Sequence, residues 1–328
     1  MKWKSHAQSY KDALVYMRKM QQGQIQSFKT PWKKINDAGI GGFEYNSITI
    51  IAARPGGGKT LMKDQMIREG FKLNKGQGIR ALEFQLEMVA KNSKIREFSS
   101  VSKQTYKYLL SAETEGVKIS DELLEKCAQY ARGASKYPID IIDDPVTPEE
   151  FRSEIIEYMD THAVTPEGGI KTYCQTIVTL DHSVLLKKMK GQSVNDKLNM
   201  LGEVCTELKK KYPIAFIILS QLNRDIENPT RCENGKYGNY PTAGDIFGAD
   251  ALNQHADMLI VLDIPALRHI TTYGPDRYII EDDTVLVAHV LKTRTGDRRM
   301  SFFKAEFHNM NIADTLTPPQ EPQIKKKS

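Results

Sequence analysis

Short apolar runs separated by polar, turn-forming stretches set the pattern of this chain. Ile48–Ile51, Ile79–Leu86, Ile139–Ile142, Thr176–Leu180, Ile214–Leu219 and Met258–Asp263 are β-favouring and mostly unalternated. That is the signature of strands covered on both faces. Between them lie segments with helical spacing: Leu61–Phe71, Val89–Ser99, Gln104–Leu110, Ser120–Ser135, Thr147 to Thr161, Asp196–Lys211 and the short Ala251–His255. Ser120 with Asp121 and Glu122, and Thr147 with Pro148, are good helix starts by their caps, first-turn acids and proline. The order predicts an α/β fold with a mostly parallel sheet and helices on both faces. Tyr278–Ile280 and Thr284–Leu291 then read as paired strands, with Arg299–Phe307 after a turn at Thr293–Arg298, a C-terminal β-hairpin region.

The flanks differ from this core. Ser5–Gln22 is an amphipathic helix with Tyr10, Leu14 and Met17 on one face, and Gly23 stops it. About twenty residues cannot make a domain, so the helix either packs on its own core or is an arm that docks on a neighbouring subunit. Phe28–Tyr45 is turn-rich. Asp225–Asp250, rich in Gly, Pro and Asn, reads as a long loop whose length points to function. Thr315–Ser328, with Pro318, Pro319, Pro322 and Lys325–Lys327, reads as a disordered basic tail. The expected organisation is a linker or docking helix over 1–24, one ATPase domain over 25–314 and the tail over 315–328.

The chemistry starts at Ile48–Thr60, Ile-Thr-Ile-Ile-Ala-Ala-Arg-Pro-Gly-Gly-Gly-Lys-Thr. A strand, a glycine turn and a helix in this order form the phosphate cradle of a P-loop NTPase. Gly56, Gly57 and Gly58 let backbone N–H groups face the phosphates, together with Arg54, Pro55 and Leu61 of the same loop and helix start. Lys59 reaches the β- and γ-phosphates and the Thr60 hydroxyl ligates Mg²⁺. A glycine run before Lys-Thr is an ordinary loop in many contexts; directly after a strand it is a nucleotide site. Asp181 closes Ile177-Val178-Thr179-Leu180 as the second metal-holding group. Glu87 ends another strand and is the candidate base. Glu83, inside that strand, is its rival. Gln221 ends a further strand, where it would sense the γ-phosphate. Lys59, Glu87, Asp181 and Gln221 thus all fall at carboxyl ends of strands, where open α/β sheets bind ligands.

Composition adds bounds. The 328 residues are 40% hydrophobic and 27% charged with net charge +5, mildly basic and long enough for one large α/β domain. Cys127, Cys174, Cys205 and Cys232 are isolated, which fits a reducing compartment and suggests neither zinc nor disulfides. No apolar run approaches the roughly 18–20 residues of a membrane span. A cytoplasmic protein is expected, without membrane contact.

The motifs together resemble the C-terminal ATPase domain of DnaB-type replicative helicases, in the RecA-like hexameric class. Ala52–Thr60 is similar to that family's P-loop, including Ala53 where simpler P-loops carry glycine. Leu86-Glu87-Met88 is similar to its Leu-Glu-Met, whose Glu is the catalytic base. Leu219-Ser220-Gln221-Leu222-Asn223-Arg224 resembles the sensor strand, and Asp245, Gln254 and Ala256-Asp257 its Asp-Leu-Arg…Gln-Asp-Ala-Asp segment. Lys292-Thr293-Arg294-Thr295-Gly296 resembles the Lys-x-Arg-x-Gly hairpin, which implies that Lys292 and Arg294 reach the γ-phosphate of the adjacent subunit. The likeness runs from about Phe28 to Asp314. Phe247 and His182 depart from it, standing where the family carries Arg and Tyr, and only Ser5–Gln22 precedes the ATPase segment. Such a stripped-down form suits a phage or mobile element, placing it in a host cytoplasm.

The resemblance implies ATP and Mg²⁺ as cofactors, single-stranded DNA as partner, a homo-hexameric ring, and a primase or helicase loader as further partners. Candidate DNA contacts are Lys187, Lys188 and Lys190 in Leu186–Asn195, and Arg224, Arg231 and Lys236 in Arg224–Asp250. Two other classes share the P-loop. A RecA-like recombinase or clock-type ATPase would bind DNA or protein without unwinding; the Lys292–Gly296 hairpin argues against it. A non-catalytic scaffold would not need a full set of phosphate, metal, base and sensor residues.

Overall fold

The computed structural model describes residues 3–111, 116, 118–166, 169–233, 238–314 and 317–321, with the backbone alone at 249 and 250. Among the described residues eleven strands are formed: β1 Ser47–Ala53, β2 Arg80–Gln85, β3 Ile139–Ile142, β4 Thr176–Asp181, β5 Ile214–Gln221, β6 Met258–Asp263, β7 Thr272–Tyr273, β8 Tyr278–Ile279, β9 Val285–Thr293, β10 Arg299–Glu306 and β11 Asn311–Ala313. Nine of them make one sheet in the order β11-β10-β9-β6-β1-β5-β4-β2-β3. The six from β6 to β3 are parallel, and β9, β10 and β11 extend the sheet antiparallel.

Strand β1 shows why the apolar runs are unalternated. Ile48, Ile50 and Ala52 enter one core, with Phe151 and Ile155 of the helix Pro148–Thr161 and Leu198 and Leu201 of the helix Val194–Lys211. Ile51 and Ala53 enter the other, against Met62 and Met66 of the helix Lys59–Leu73 and against Phe28 and Trp32. Both faces of the strand are dry, so both must be apolar.

The segment 28–45 fastens the domain's edge. Phe28 and Phe43 exchange both backbone hydrogen bonds, at 2.7 and 2.9 Å. The Phe28 ring lies so close to Gly70 that a Cβ there would stand 2.2 Å from it. Asn74 accepts from Lys29 N and donates to Lys29 O, and Trp32 donates its indole N–H to Ile312 O at 2.9 Å.

Several expectations change. The helix His6–Gln21, capped by Ser5, buries none of its residues, and Tyr10, Leu14 and Met17 are all more than half exposed. Packing on its own core is therefore not what holds it. Tyr278–Ile279 does not pair with the strand at 285; it pairs with Thr272–Tyr273, while Val285–Thr293 lies between β6 and β10. Two adjacent β-rich runs looked like a hairpin, but Val285 and Val287 bury in the small core around Tyr273 and Phe302 instead. The stretch 224–250 is broken by short helical pieces, Arg224–Glu227, Pro229–Glu233 and Ala243–Asp245, and the helix Ala249–Asn253 starts inside it.

The tail reading also fails in part. Gln320 bridges to Tyr278, Ile279 N donates to Pro319 O, and the Glu321 carboxylate accepts from Thr272 and Arg277. These bonds fix 317–321 on the small β7–β8 sheet. Residues 1–2, Lys236 and the remainder of the tail, 315–316 and 322–328, lie outside the described residues. No described helix is long and apolar enough to cross a membrane.

Candidate nucleotide-binding site

The cradle forms where β1 ends. Gly58 takes a left-handed conformation, φ 84°, that a side chain would strain, and from it the helix Lys59–Leu73 starts. Lys59 and Leu61 are buried, Thr60 is half-buried, and Pro55 and Gly56 are exposed at the mouth. Unpaired first-turn N–H groups and the helix dipole face this turn, the physical basis of anion binding.

The strand order brings the other groups alongside. Ala53 is in register with Gln221, and Gln85 with Asp181. Leu86 N donates to Asp181 O at 2.6 Å, which sets the exposed Glu87 one residue beyond that junction. Lys59, Glu87, Asp181 and Gln221 therefore share one end of the sheet. Burial pushes the Asp181 carboxyl up, against the pull of the nearby Lys63 cation. The Thr60 side chain also pulls this carboxyl down, while Asp181 Oδ1 is buried with no hydrogen-bond partner among the described residues. An under-coordinated carboxylate beside a hydroxyl is a donor set that a divalent cation fits, with phosphates and water completing the shell. No group of three or more His, Cys, Asp or Glu side chains that could hold a metal unaided occurs among the described residues.

Three features of the site escaped the sequence reading. Lys63 is fully buried beneath it, with its Nζ 2.7 Å from Asp64 and 3.1 Å from Glu83. Burial pushes Glu83 up most strongly of any single cause, but Lys63, Lys94 and the hydrogen bonds from Lys63 and Gln85 together hold the carboxyl below its ordinary value. Glu83 is thereby tied up inside the sheet, away from the open end where Glu87 stands. The signal was present: a Glu amid Leu82 and Phe84 needs a buried cation, and Lys63 is one helical turn past Lys59 on an apolar face. His182 is the second. Burial and then Lys59 press its imidazole down to about 4, against an upward pull from the Gln221 side chain, so it is neutral at pH 7, with Nδ1 accepting from Val184 N. Arg54 is the third. Its side chain turns away from the cradle, donating from Nε and Nη2 to Glu227 at 2.6 and 3.1 Å and from Nη1 to Leu222 O at 2.9 Å.

Lys292 and Arg294 lie elsewhere. Leu259 is in register with Lys292 and Met258 with Thr293, while Met258 faces Thr49 at the start of β1. That is the opposite end of the strands, about 13 Å from the P-loop at 3.3 Å per residue. Lys292 donates to Asn253 O, and Arg294 Nε is 3.2 Å from Asp257, which also accepts from Lys209 and from Ile48 N. The Arg294 side chain is 59% exposed. Neither residue can serve the P-loop of its own chain.

The basic candidates divide. Lys187, Lys188 and Lys190 are exposed after β4, and Arg224 is exposed after β5. Arg231 is occupied within its own loop, donating to Gly238 O, Tyr240 O and both oxygens of Asp245. Its guanidinium serves as a brace, not as a free phosphate donor.

Comparison with known proteins gives the family and the fold. The family model of the DnaB-like helicase C terminal domain matches residues 13–310. The replicative DNA helicase DnaB of Mycoplasma pneumoniae is 24% identical over 229 residues, covering 67% of this chain and 43% of that protein. Its namesake from Helicobacter pylori is 26% identical over 225 residues, 67% and 40% respectively. The chain thus spans about two-fifths of the length of these curated relatives. Among solved structures, one ATPase domain has a TM-score of 0.74 at 17% identity, over 93% of this chain and 98% of that one. A DnaB-like replicative helicase studied with primase gives 0.72 at 16%, over 95% and 67%. These similarities show a RecA-like α/β fold, and the family implies nucleotide binding. With its family model matched over most of its length, the chain belongs to the DnaB-like helicase C-terminal domain family.

Proposed function

We propose that this domain is the ATP-driven motor of a replicative DNA helicase, working as a hexameric ring that translocates on single-stranded DNA. One observation carries the reading. Phosphate, base and sensor groups gather at one end of the sheet, while the half-buried Lys292 and the exposed Arg294 sit at the other, out of reach of their own P-loop. A complete site then needs two subunits, which a ring supplies at every interface.

Within one site, the P-loop N–H groups and Lys59 bind the phosphates, and Thr60 and Asp181 hold Mg²⁺, which neutralises phosphate charge. Glu87 accepts the proton of the attacking water, and Gln221, whose side chain acts on His182, faces the γ-phosphate. Arg294 and Lys292 stabilise charge on the neighbour's transferring phosphoryl group. The exposed apolar face of His6–Gln21 suits docking on an adjacent subunit. Primase or a helicase loader are further partners by family likeness, in the cytoplasm. Negative-stain images with a non-hydrolysable ATP analogue and single-stranded DNA test the assembly. Six-fold rings are expected; helical filaments would favour a recombinase.

The DNA contact is proposed at the exposed lysines after β4. No aromatic residue interleaves Lys187, Lys188 and Lys190, so charge tracking rather than base stacking is expected. Affinity should ignore sequence and fall with salt, each phosphate contact adding about −0.7 to the log–log slope. Reversing Lys187 and Lys188 to Glu should weaken single-strand binding and DNA-stimulated hydrolysis while leaving basal hydrolysis in place. Survival of binding and of its salt slope in that protein would remove this loop from the contact.

A further inference from the structure

We infer that Glu227 is a positioning residue that couples the nucleotide loop to the segment after β5, by clasping the P-loop side chain Arg54. The inference rests on the function proposed above. Its basis is how residues 222–233 and 238–245 are fastened. Arg268, whose side chain is only 6% exposed, donates to Ile226 O and Asn239 O and pairs with Asp263 at the end of β6. Arg231 ties 231 to 238, 240 and 245. Asn239 donates to Thr272 O and accepts from Gly274 N. The described parts of the segment are thus stitched to one another and to the ends of β6 and β7.

The P-loop meets this unit at few points. Leu222 N donates to Ala53 O at 3.1 Å, continuing the sheet, and Arg54 supplies the side-chain link. Beside this link lies a cleft of about 970 Å³, lined by Pro55 and Gly57 on one side and Pro229, Cys232 and Glu233 on the other. Glu227 stands three residues after the exposed Arg224, on the same 3₁₀ turn. Arg224 is an exposed candidate DNA contact, and a strand held there as well as at the lysines after β4 would pull on the turn that grips the P-loop.

The strength of the clasp suits this task. Two parallel N–H···O bonds fix direction well, since Arg–carboxylate forks are geometrically specific. Yet Glu227 is 45% exposed, and solvent-exposed pairs stabilise a fold by little. The contact can open without unfolding the domain, while its direction is passed on when it is closed.

The test uses the full chain with Glu227→Gln and Glu227→Asp. It measures ATP hydrolysis with and without an oligo-dT strand, and the affinity for that strand with and without a non-hydrolysable ATP analogue. Glu227→Gln should keep basal hydrolysis but lose DNA stimulation by about fivefold or more, the low end of typical coupling between sites. The analogue's effect on strand affinity should shrink, and the strand's effect on analogue affinity should shrink by the same factor, because binding linkage is reciprocal. Glu227→Asp, which keeps the charge, should recover part of both. Unchanged coupling in Glu227→Gln overturns the inference, and so does a loss of basal hydrolysis, which would make the residue part of the P-loop scaffold. A wild-type protein that hydrolyses ATP but ignores single strands overturns the proposed function itself, and the coupling with it.

Discussion

The Glu87→Gln protein is expected to bind an ATP analogue as tightly as the wild type and to hydrolyse ATP about a hundredfold more slowly, or worse, the usual scale for loss of a general base. The amide keeps the size and polarity of the side chain but cannot take the proton of an attacking water. Glu87 is exposed just past β2, beside the end of β4, where such a water would lie. Equilibrium binding of the analogue and steady-state phosphate release separate the two effects. Turnover at the wild-type rate would move the base elsewhere. Glu83 would then be first in line, although its carboxylate is held by Lys63 and accepts from Gln85.

A larger loss is expected from Arg294→Ala. Arginine fingers contribute roughly 10³ to 10⁵ in turnover, and Arg294 is an exposed guanidinium steadied by Asp257 at the far end of the strands. The decisive measurement mixes two inactive proteins, Arg294→Ala and Glu87→Gln. Each spoils a different side of a shared site, so interfaces that pair two intact sides should regain part of the hydrolysis. No recovery, with co-assembly shown by size and composition, would count against a site built from two subunits.

Much of the fold was legible because burial on both faces writes itself into strands such as Ile214–Leu219, which no other element imitates at that length. Motif positions at strand ends were legible for a related reason: a carboxylate or amide closing an apolar run, as Asp181 and Gln221 do, has few other places to go. Edges were harder. Tyr278–Ile279 and Val285–Thr293 are both β-rich, and only the small core around Tyr273 decides that they do not pair. The exposed state of His6–Gln21 was open because an amphipathic face looks the same whether its partner is the same chain or another. Side-chain pairings across long sequence gaps, such as Lys63 with Glu83 and Arg54 with Glu227, leave no periodic trace. The occupation of Arg231 by Asp245 is the same kind of fact, and it removes a candidate that charge alone had suggested.

The seating of Phe28 bears on how a subunit could tilt. Its backbone is stitched to Phe43 and its ring is wedged over Gly70, so tension arriving along the chain from the amino-terminal arm stops there. Between the last turn of the arm and that anchor lie only residues 22–27, with Gly23 at φ 67°. If neighbouring domains rock as nucleotide is spent, each would swing on this short tether like a door on one hinge. The sheet and its cradle would ride along undistorted.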